Sequence, residues 1–145
     1  MYIDTDVTMA LIGLDDNLLD IIDLSKMKNL KTSVMTIFEI RDILSEMNIN
    51  KDIKEILDFI KKEDIEILPL DEEVLLKSIE LLYKHKNLIL FDINHAIHAS
   101  HCILIKETIY STDSIYKRIG DIKYKNPKKL ENIDNYNSFN LEKSY

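Results

Sequence analysis

Apolar positions along the chain change period several times, and each change marks the edge of an element. Tyr2-Ile3 is a very short apolar start, residues 31–36 (KTSVMT) are rich in β-formers, and residues 65–70 (IEILPL) and 107–112 (ETIYST) alternate apolar with polar side chains. These stretches predict four strands, and residues 121–125 (DIKYK) predict a fifth. Between them apolar residues recur at helical spacing: Ile37, Ile40, Leu44 and Met47; Ile53, Ile56, Leu57 and Ile60; Val74, Leu75, Ile79 and Leu82; Ala96, Ala99 and Ile103. The alternation of strand and helix predicts an α/β layer fold on a central, mainly parallel sheet of four to five strands, because parallel neighbours need helical crossovers. Only two glycines and two prolines interrupt the 145 residues, so long elements and no flexible interdomain linker are expected. A single domain over residues 1–131 is the expectation, with a loosely held tail at 132–145 rich in Asn, Ser and Tyr.

At 46% hydrophobic residues the chain can bury a core without disulfides or a structural metal. Cys102 is the only cysteine, which excludes an intrachain disulfide and suits a reducing, cytoplasmic setting. The opening Met-Tyr-Ile-Asp-Thr-Asp carries acids where a signal peptide has a basic patch, and no apolar run is long enough for a bilayer, so no membrane association is expected. A net charge of −7 argues against a protein that coats nucleic acid through bulk electrostatics. The charge is unevenly placed, however. Within residues 116–129, Lys117, Arg118, Lys123, Lys125, Lys128 and Lys129 face Asp121 alone, a net of +5, while residues 1–115 carry −10.

In open α/β sheets ligands bind outside the carboxyl ends of the strands. Four acids fall at such places: Asp4 after the first strand, Glu39 in the first turn of the helix after KTSVMT, Asp92 opening a helix, and Asp113 directly after ETIYST. Taken singly, each is explained as a helix cap or part of a solvated face, since Asp at an N-cap accepts backbone N–H bonds. As a set they are harder to dismiss. Asp4 ends an apolar strand and precedes another apolar run, where a charge is costly without a purpose. Carboxylates brought together repel unless a cation or a shared proton lies among them, and hard oxygen donors without a His-Cys cluster favour Mg²⁺ or Mn²⁺.

These residues sit in stretches that resemble one known family. YIDTDVTMALI resembles the opening of PIN domains, SVMTIFEI their second motif with its Glu, LILFDINHAIHA their third and YSTDSIYKRI their fourth, while DIKYKNPKKL is similar to their last strand and Asn-Pro exit. The resemblance runs in order from residue 2 to about 130. It implies a three-layer α/β/α fold and a metal-dependent ribonuclease that hydrolyses RNA phosphodiesters. It further implies catalytic roles for Asp4, Glu39, Asp92 and Asp113, with Asp4, Asp92 and Asp113 as metal ligands, Glu39 and Asp6 as further candidate ligands, and Thr112 in support. The basic residues Lys117 to Lys129 are candidates for contact with the RNA backbone. Many small members are VapC-type toxins restrained by an antitoxin peptide, so the resemblance also implies a basic protein partner for the acidic body. Two departures concern the metal count: Asp6 stands where Asn is frequent, and Ile115 where an acid sometimes occurs.

Three other readings bear on the same residues. Asp92, His95, His98 and His101 recur every third residue, but such spacing falls about 60° short of a turn per step, which argues against a shared zinc site. His95 lies nearest Asp92, at a place where many PIN domains carry His, and Ala96 and Ala99 read as small residues that let a helix approach the sheet. Asp4-Thr5-Asp6-Val7 also fits a haloacid-dehalogenase nucleophile motif with Asp4 as nucleophile and Asp6 as acid/base, yet Gly120-Asp121 lacks the second acid that such a phosphatase needs. A non-catalytic PIN-fold binding module is the remaining alternative. The apolar face of residues 51–62 serves equally to cover the sheet or to form a homodimer.

Overall fold

The computed structural model describes residues 1–129. In chain order the elements are β1 (Tyr2–Ile3), α1 (Thr5–Leu11), α2 (Asp16–Ile21), β2 (Lys31–Ser33), α3 (Val34–Glu46), α4 (Ile53–Lys62), β3 (Glu66–Leu68), α5 (Glu72–Lys84), α6 (Ile93–Ile105), β4 (Ile109–Tyr110) and β5 (Tyr124–Lys125), with 3-10 turns at Leu24–Lys26 and Ser114–Arg118. The five strands form one sheet in the order β3-β2-β1-β4-β5, every neighbouring pair parallel. Strand order reverses between β1 and β4, so the crevice expected of such a sheet lies outside the carboxyl ends of those two strands. The expected tail at 132–145 and the domain end at 131 lie outside the described residues.

Two residues of β1 divide the core. Successive strand side chains point to opposite faces. Ile3 joins Val7, Ile40, Leu44, Ile56 and Ile60 on one side, and Tyr2 joins Leu81, Ala96, Ala99, Cys102 and Ile109 on the other. The result is three layers, with α1 to α4 on one face and α5 with α6 on the other. Ile56 and Ile60 of α4 are fully buried in the first of these clusters, so the apolar face of α4 covers the sheet.

Local sequence sets most boundaries through caps. Asp4, Asp15, Ser33, Asp52, Asp71 and Asp92 each accept a backbone N–H in the first turn of the helix that follows. Ser33 corrects the reading of residues 31–36 as one strand. Its hydroxyl accepts from Met35 N at 3.0 Å, ending β2 and starting α3 at Val34, which puts Glu39 in the second turn of α3 rather than the first.

The buried face of α5 also differs from the hydrophobic pattern. Val74, Ser78 and Leu81 are buried, whereas Leu75 and Ile79 are exposed, Ile79 by 62%. The reason is the contact with α6. The Ser78 and Ser100 hydroxyls face each other at 3.0 Å, and each lies 2.7 Å from a carbonyl one turn back in its own helix, Val74 O and Ala96 O. Small hydroxyl residues let these helices approach closely, and a search for apolar spacing passes over them. Leu81→Ala should therefore cost about 2–5 kcal/mol in urea unfolding, while Ile79→Ser should stay within about 0.5 kcal/mol; the reverse ranking would restore the face read from the sequence.

Candidate active site

The carboxyl ends of β1 and β4 place Asp4 and Asp113 on either side of the strand-order reversal, and Ser111 ties them together. Its hydroxyl donates to Asp4 Oδ2 at 2.7 Å, and its oxygen accepts from Asp113 N at 3.0 Å. Asp4 also caps α1 by accepting from Thr5 N at 2.8 Å, and it is only 8% exposed. Glu39 reaches the same point from α3. A buried set of hydroxyls, Thr5, Thr32 and Thr36, links α1, β2 and α3, with Thr36 Oγ1 2.8 Å from Thr32 and 3.2 Å from Thr5. Thr5 in turn donates to Glu39 Oε1 at 3.0 Å.

The four acids converge as two pairs, each bridged by a histidine of α6. His98 Nε2 lies 2.5 Å from Glu39 Oε1 and 3.4 Å from Asp4 Oδ1. His95 Nε2 lies 2.8 Å from Asp113 Oδ2, and its Nδ1 lies 2.9 Å from Asp92 Oδ1. Nδ1 is also 3.3 Å from the Asp92 backbone nitrogen. That backbone N–H donates to Nδ1, completing a capping box in which Asp92 Oδ1 accepts from His95 N, so Asp92 acts on the ring through charge while Nε2 bonds Asp113. Burial pushes both imidazole pKa values down, but the carboxylates outweigh it: Asp113 and Asp92 raise His95, and Asp4 and Glu39 raise His98. The hydrogen bond from His95 holds the Asp113 carboxyl below its ordinary range. His101, one step further along α6, faces away from the acids toward Ser33, and burial lowers it to about 4.

All four acids line a crevice of about 840 Å³, together with Asp6, His95, His98 and Tyr116. Tyr116 is 1% exposed, and its hydroxyl has no partner among the described residues. Asp6 is turned to the loop after β4, where Oδ2 accepts from both the backbone N–H (2.9 Å) and the hydroxyl of Thr112. Thr112, expected only to support the site, thus fastens Asp113 to α1 through Asp6. Asp121 is ion-paired with Lys84 at 2.8 Å.

The basic residues separate into groups. Lys117 and Arg118 are exposed on the 3-10 turn that Asp113 caps, and Arg118 lines a second hollow beside Asp92 and Asp113. Lys123 and Lys125 are exposed around β5. Lys128 and Lys129 fold back on the end of α2, Lys128 in a β-bridge with Ile22 and Lys129 N bonded to Ile21 O.

A family model described as the PIN domain matches residues 1–122, nearly the whole described chain. The protein belongs to the PIN domain family. No curated protein matches it. Among solved structures it is similar to VapBC2 from Rickettsia felis bound to a promoter DNA fragment (19% identity, 86% of this chain and 96% of that chain, TM-score 0.62). It is also similar to FitAcB from Neisseria gonorrhoeae (18%, 87% and 96%, TM-score 0.62) and to VapBC-5 from Mycobacterium tuberculosis (18%, 85% and 94%, TM-score 0.58). At these identities the likeness is one of fold.

The residues of this PIN domain that sequence reasoning undervalued are His98 and Tyr116. His98 was visible only as one of three evenly spaced histidines, and Tyr116 as an apolar ring. A divalent cation fits this constellation. The donor set is carboxylate and imidazole, the acids would otherwise repel, and a buried hydroxyl waits without a partner.

Burial and the neighbouring Asp4 raise the Asp6 pKa to about 6, against the donors from Thr112 and Val7. Asp6 therefore binds its proton more tightly folded than unfolded, and its contribution to stability declines as pH rises from about 4 through 6. In EDTA, Asp6→Asn should raise the unfolding free energy at pH 8 by on the order of 1–3 kcal/mol and make little difference at pH 4. An equal effect at both pH values would mean that Asp6 ionises freely.

Proposed function

We propose that this PIN domain is a metal-dependent endoribonuclease using Mg²⁺ or Mn²⁺, and that it is the toxin of a toxin–antitoxin pair. The observation that carries the reading is the convergence of Asp4, Glu39, Asp92 and Asp113 in one crevice at the strand-order reversal. Asp4, Asp92 and Asp113 each cap a helix or turn, but capping does not require that they and Glu39 share one crevice against their repulsion. Asp4, Asp92 and Asp113 are the first-choice ligands, with Glu39 as a further ligand or an acceptor that orients water. A bound divalent cation supplies a polarised water and positive charge against a phosphodiester in reaction.

The chain's own groups do the positioning. Ser111 and Thr5 hold Asp4, the threonine set holds Glu39, and Asp6 with Thr112 holds the loop that carries Asp113. Lys117 and Arg118 lie next to Asp113, where a phosphate backbone passing the crevice would meet them. The partner reading rests on charge and on fold. A basic peptide suits an acidic crevice, and the structural neighbours include one described as a toxin–antitoxin complex from Klebsiella pneumoniae (13% identity, 89% of this chain and 98% of that chain, TM-score 0.63).

The purified protein should cut single-stranded or loop RNA in Mg²⁺ or Mn²⁺ and be silent in EDTA. Asp4→Ala, Glu39→Ala, Asp92→Ala and Asp113→Ala should each lower the rate on the order of 100-fold or more while the fold is kept. Cleavage that survives Asp92→Ala and Asp113→Ala together would defeat the assignment. Replacing Lys117 and Arg118 by Gln should weaken RNA binding and flatten its salt dependence by about one logarithmic unit per residue at most, more than the same change at Lys128 and Lys129. Equal slopes for the two pairs would place the RNA path elsewhere.

A further inference from the structure

The two histidine-bridged acid pairs differ in depth. His95, Asp92 and Asp113 sit at the rim, with Asp92 and Asp113 exposed. At the floor, Asp4, Glu39 and His98 each present one donor atom, all within 4.8 Å of one another, and His98 is 1% exposed. The crevice they share is also lined by Tyr116, whose buried hydroxyl is unpartnered. A buried hydroxyl left unpaired costs about 1–3 kcal/mol, and a polar occupant of the crevice that Tyr116 lines would offer it a partner. We infer that His98 Nε2 is a ligand of the divalent cation beside Asp4 and Glu39, so that this site takes Mn²⁺ in preference to Mg²⁺. The inference rests on the metal-dependent reading above and adds the identity of a donor and of the ion.

A histidine ligand needs a lone pair on the ligating nitrogen and a proton on the other, held by a neighbour. Behind His98 stands such a neighbour. Tyr2 Oη lies 2.6 Å from His98 Nδ1. A phenol hydroxyl both donates and accepts, so it serves either tautomer of the ring. When Tyr2 donates to Nδ1, His98 carries its proton on Nε2, directed at Glu39. When Nδ1–H donates to Tyr2, Nε2 presents a lone pair. His98 can therefore serve the carboxylates without metal and the cation with it.

Selectivity follows from the donor. Imidazole suits transition ions, whereas Mg²⁺ holds to oxygen and retains its waters. The two carboxylates Asp4 and Glu39 alone would give little preference between Mg²⁺ and Mn²⁺. One nitrogen among them tips the balance.

The test uses the intact protein and does not depend on catalysis. Isothermal titrations with MnCl₂ and with MgCl₂ should show Mn²⁺ bound about tenfold or more tightly than Mg²⁺. Pulsed EPR of the Mn²⁺ complex should show a ¹⁴N coupling of coordinated imidazole that is replaced by a ¹⁵N coupling when the protein is made with ¹⁵N-histidine, a measurement that needs no substitution. His98→Gln should abolish that coupling and bring the two ions to similar affinity, while His95→Gln, at the rim, should keep both the coupling and the preference. Mn²⁺ binding without nitrogen coupling, or a coupling lost in His95→Gln and retained in His98→Gln, would overturn the role given to His98 and leave the carboxylate site standing. Absence of binding by either ion would remove the metal-dependent reading itself.

Discussion

Repulsion among four carboxylates is the constraint around which the rest of this molecule is arranged. Asp4, Glu39, Asp92 and Asp113 meet where the two central strands end, in surroundings that screen charge poorly at the floor and better at the rim. Such a cluster survives only with positive charge or donated protons between its members. Within the chain that counterweight comes from a single helix. α6 lays His95 between the two outer acids and His98 between the two inner ones, and the carboxylates respond by raising both imidazole pKa values.

Holding the acids at such short range demands a rigid frame, and the frame is made largely of hydroxyl groups. Ser111 joins the ends of β1 and β4, Thr5 and Thr36 seat α3 so that Glu39 reaches over the crevice, and Ser78 and Ser100 let α5 and α6 close on each other. Each hydroxyl both donates and accepts. A hydroxyl can therefore turn its proton toward a carboxylate while its oxygen receives a backbone N–H, as Ser111 does. Apolar side chains would pack as densely but could not fix a carboxylate in direction.

The same frame places charge asymmetrically. An acidic crevice faces the strand ends, Arg118 lines a second hollow beside Asp92 and Asp113, and Lys128 and Lys129 are drawn away toward α2. Asp6, a departure from the usual first motif, belongs to the frame: its bonds to Thr112 secure the loop that carries Asp113.

What the sequence by itself determined was everything that local chemistry dictates. Alternating and helical periods located the strands and four of the six described helices, the acid at Asp92 marked a helix start because an Asp side chain caps the nearest free N–H groups, and the alternation of strand and helix predicted one parallel α/β layer fold. Where local signals competed, they misled. β-formers at 34–36 hid the first turn of the helix that Ser33 begins, and apolar spacing in α5 selected a face that small hydroxyl residues took instead. Only the tertiary structure decided how the acids pair and with what. Glu39 and His98 are 59 residues apart and Asp4 and Ser111 are 107 apart, and no periodicity along a chain encodes which rotamers meet when distant segments close. An even histidine spacing reads as drift around a helix, yet once α6 is pressed against the sheet by Ala96 and Ala99, that drift points one ring at the outer acids, one at the inner acids and one at Ser33. Those three directions exist only relative to the surfaces that surround the helix, which is why they belong to the fold and not to the sequence.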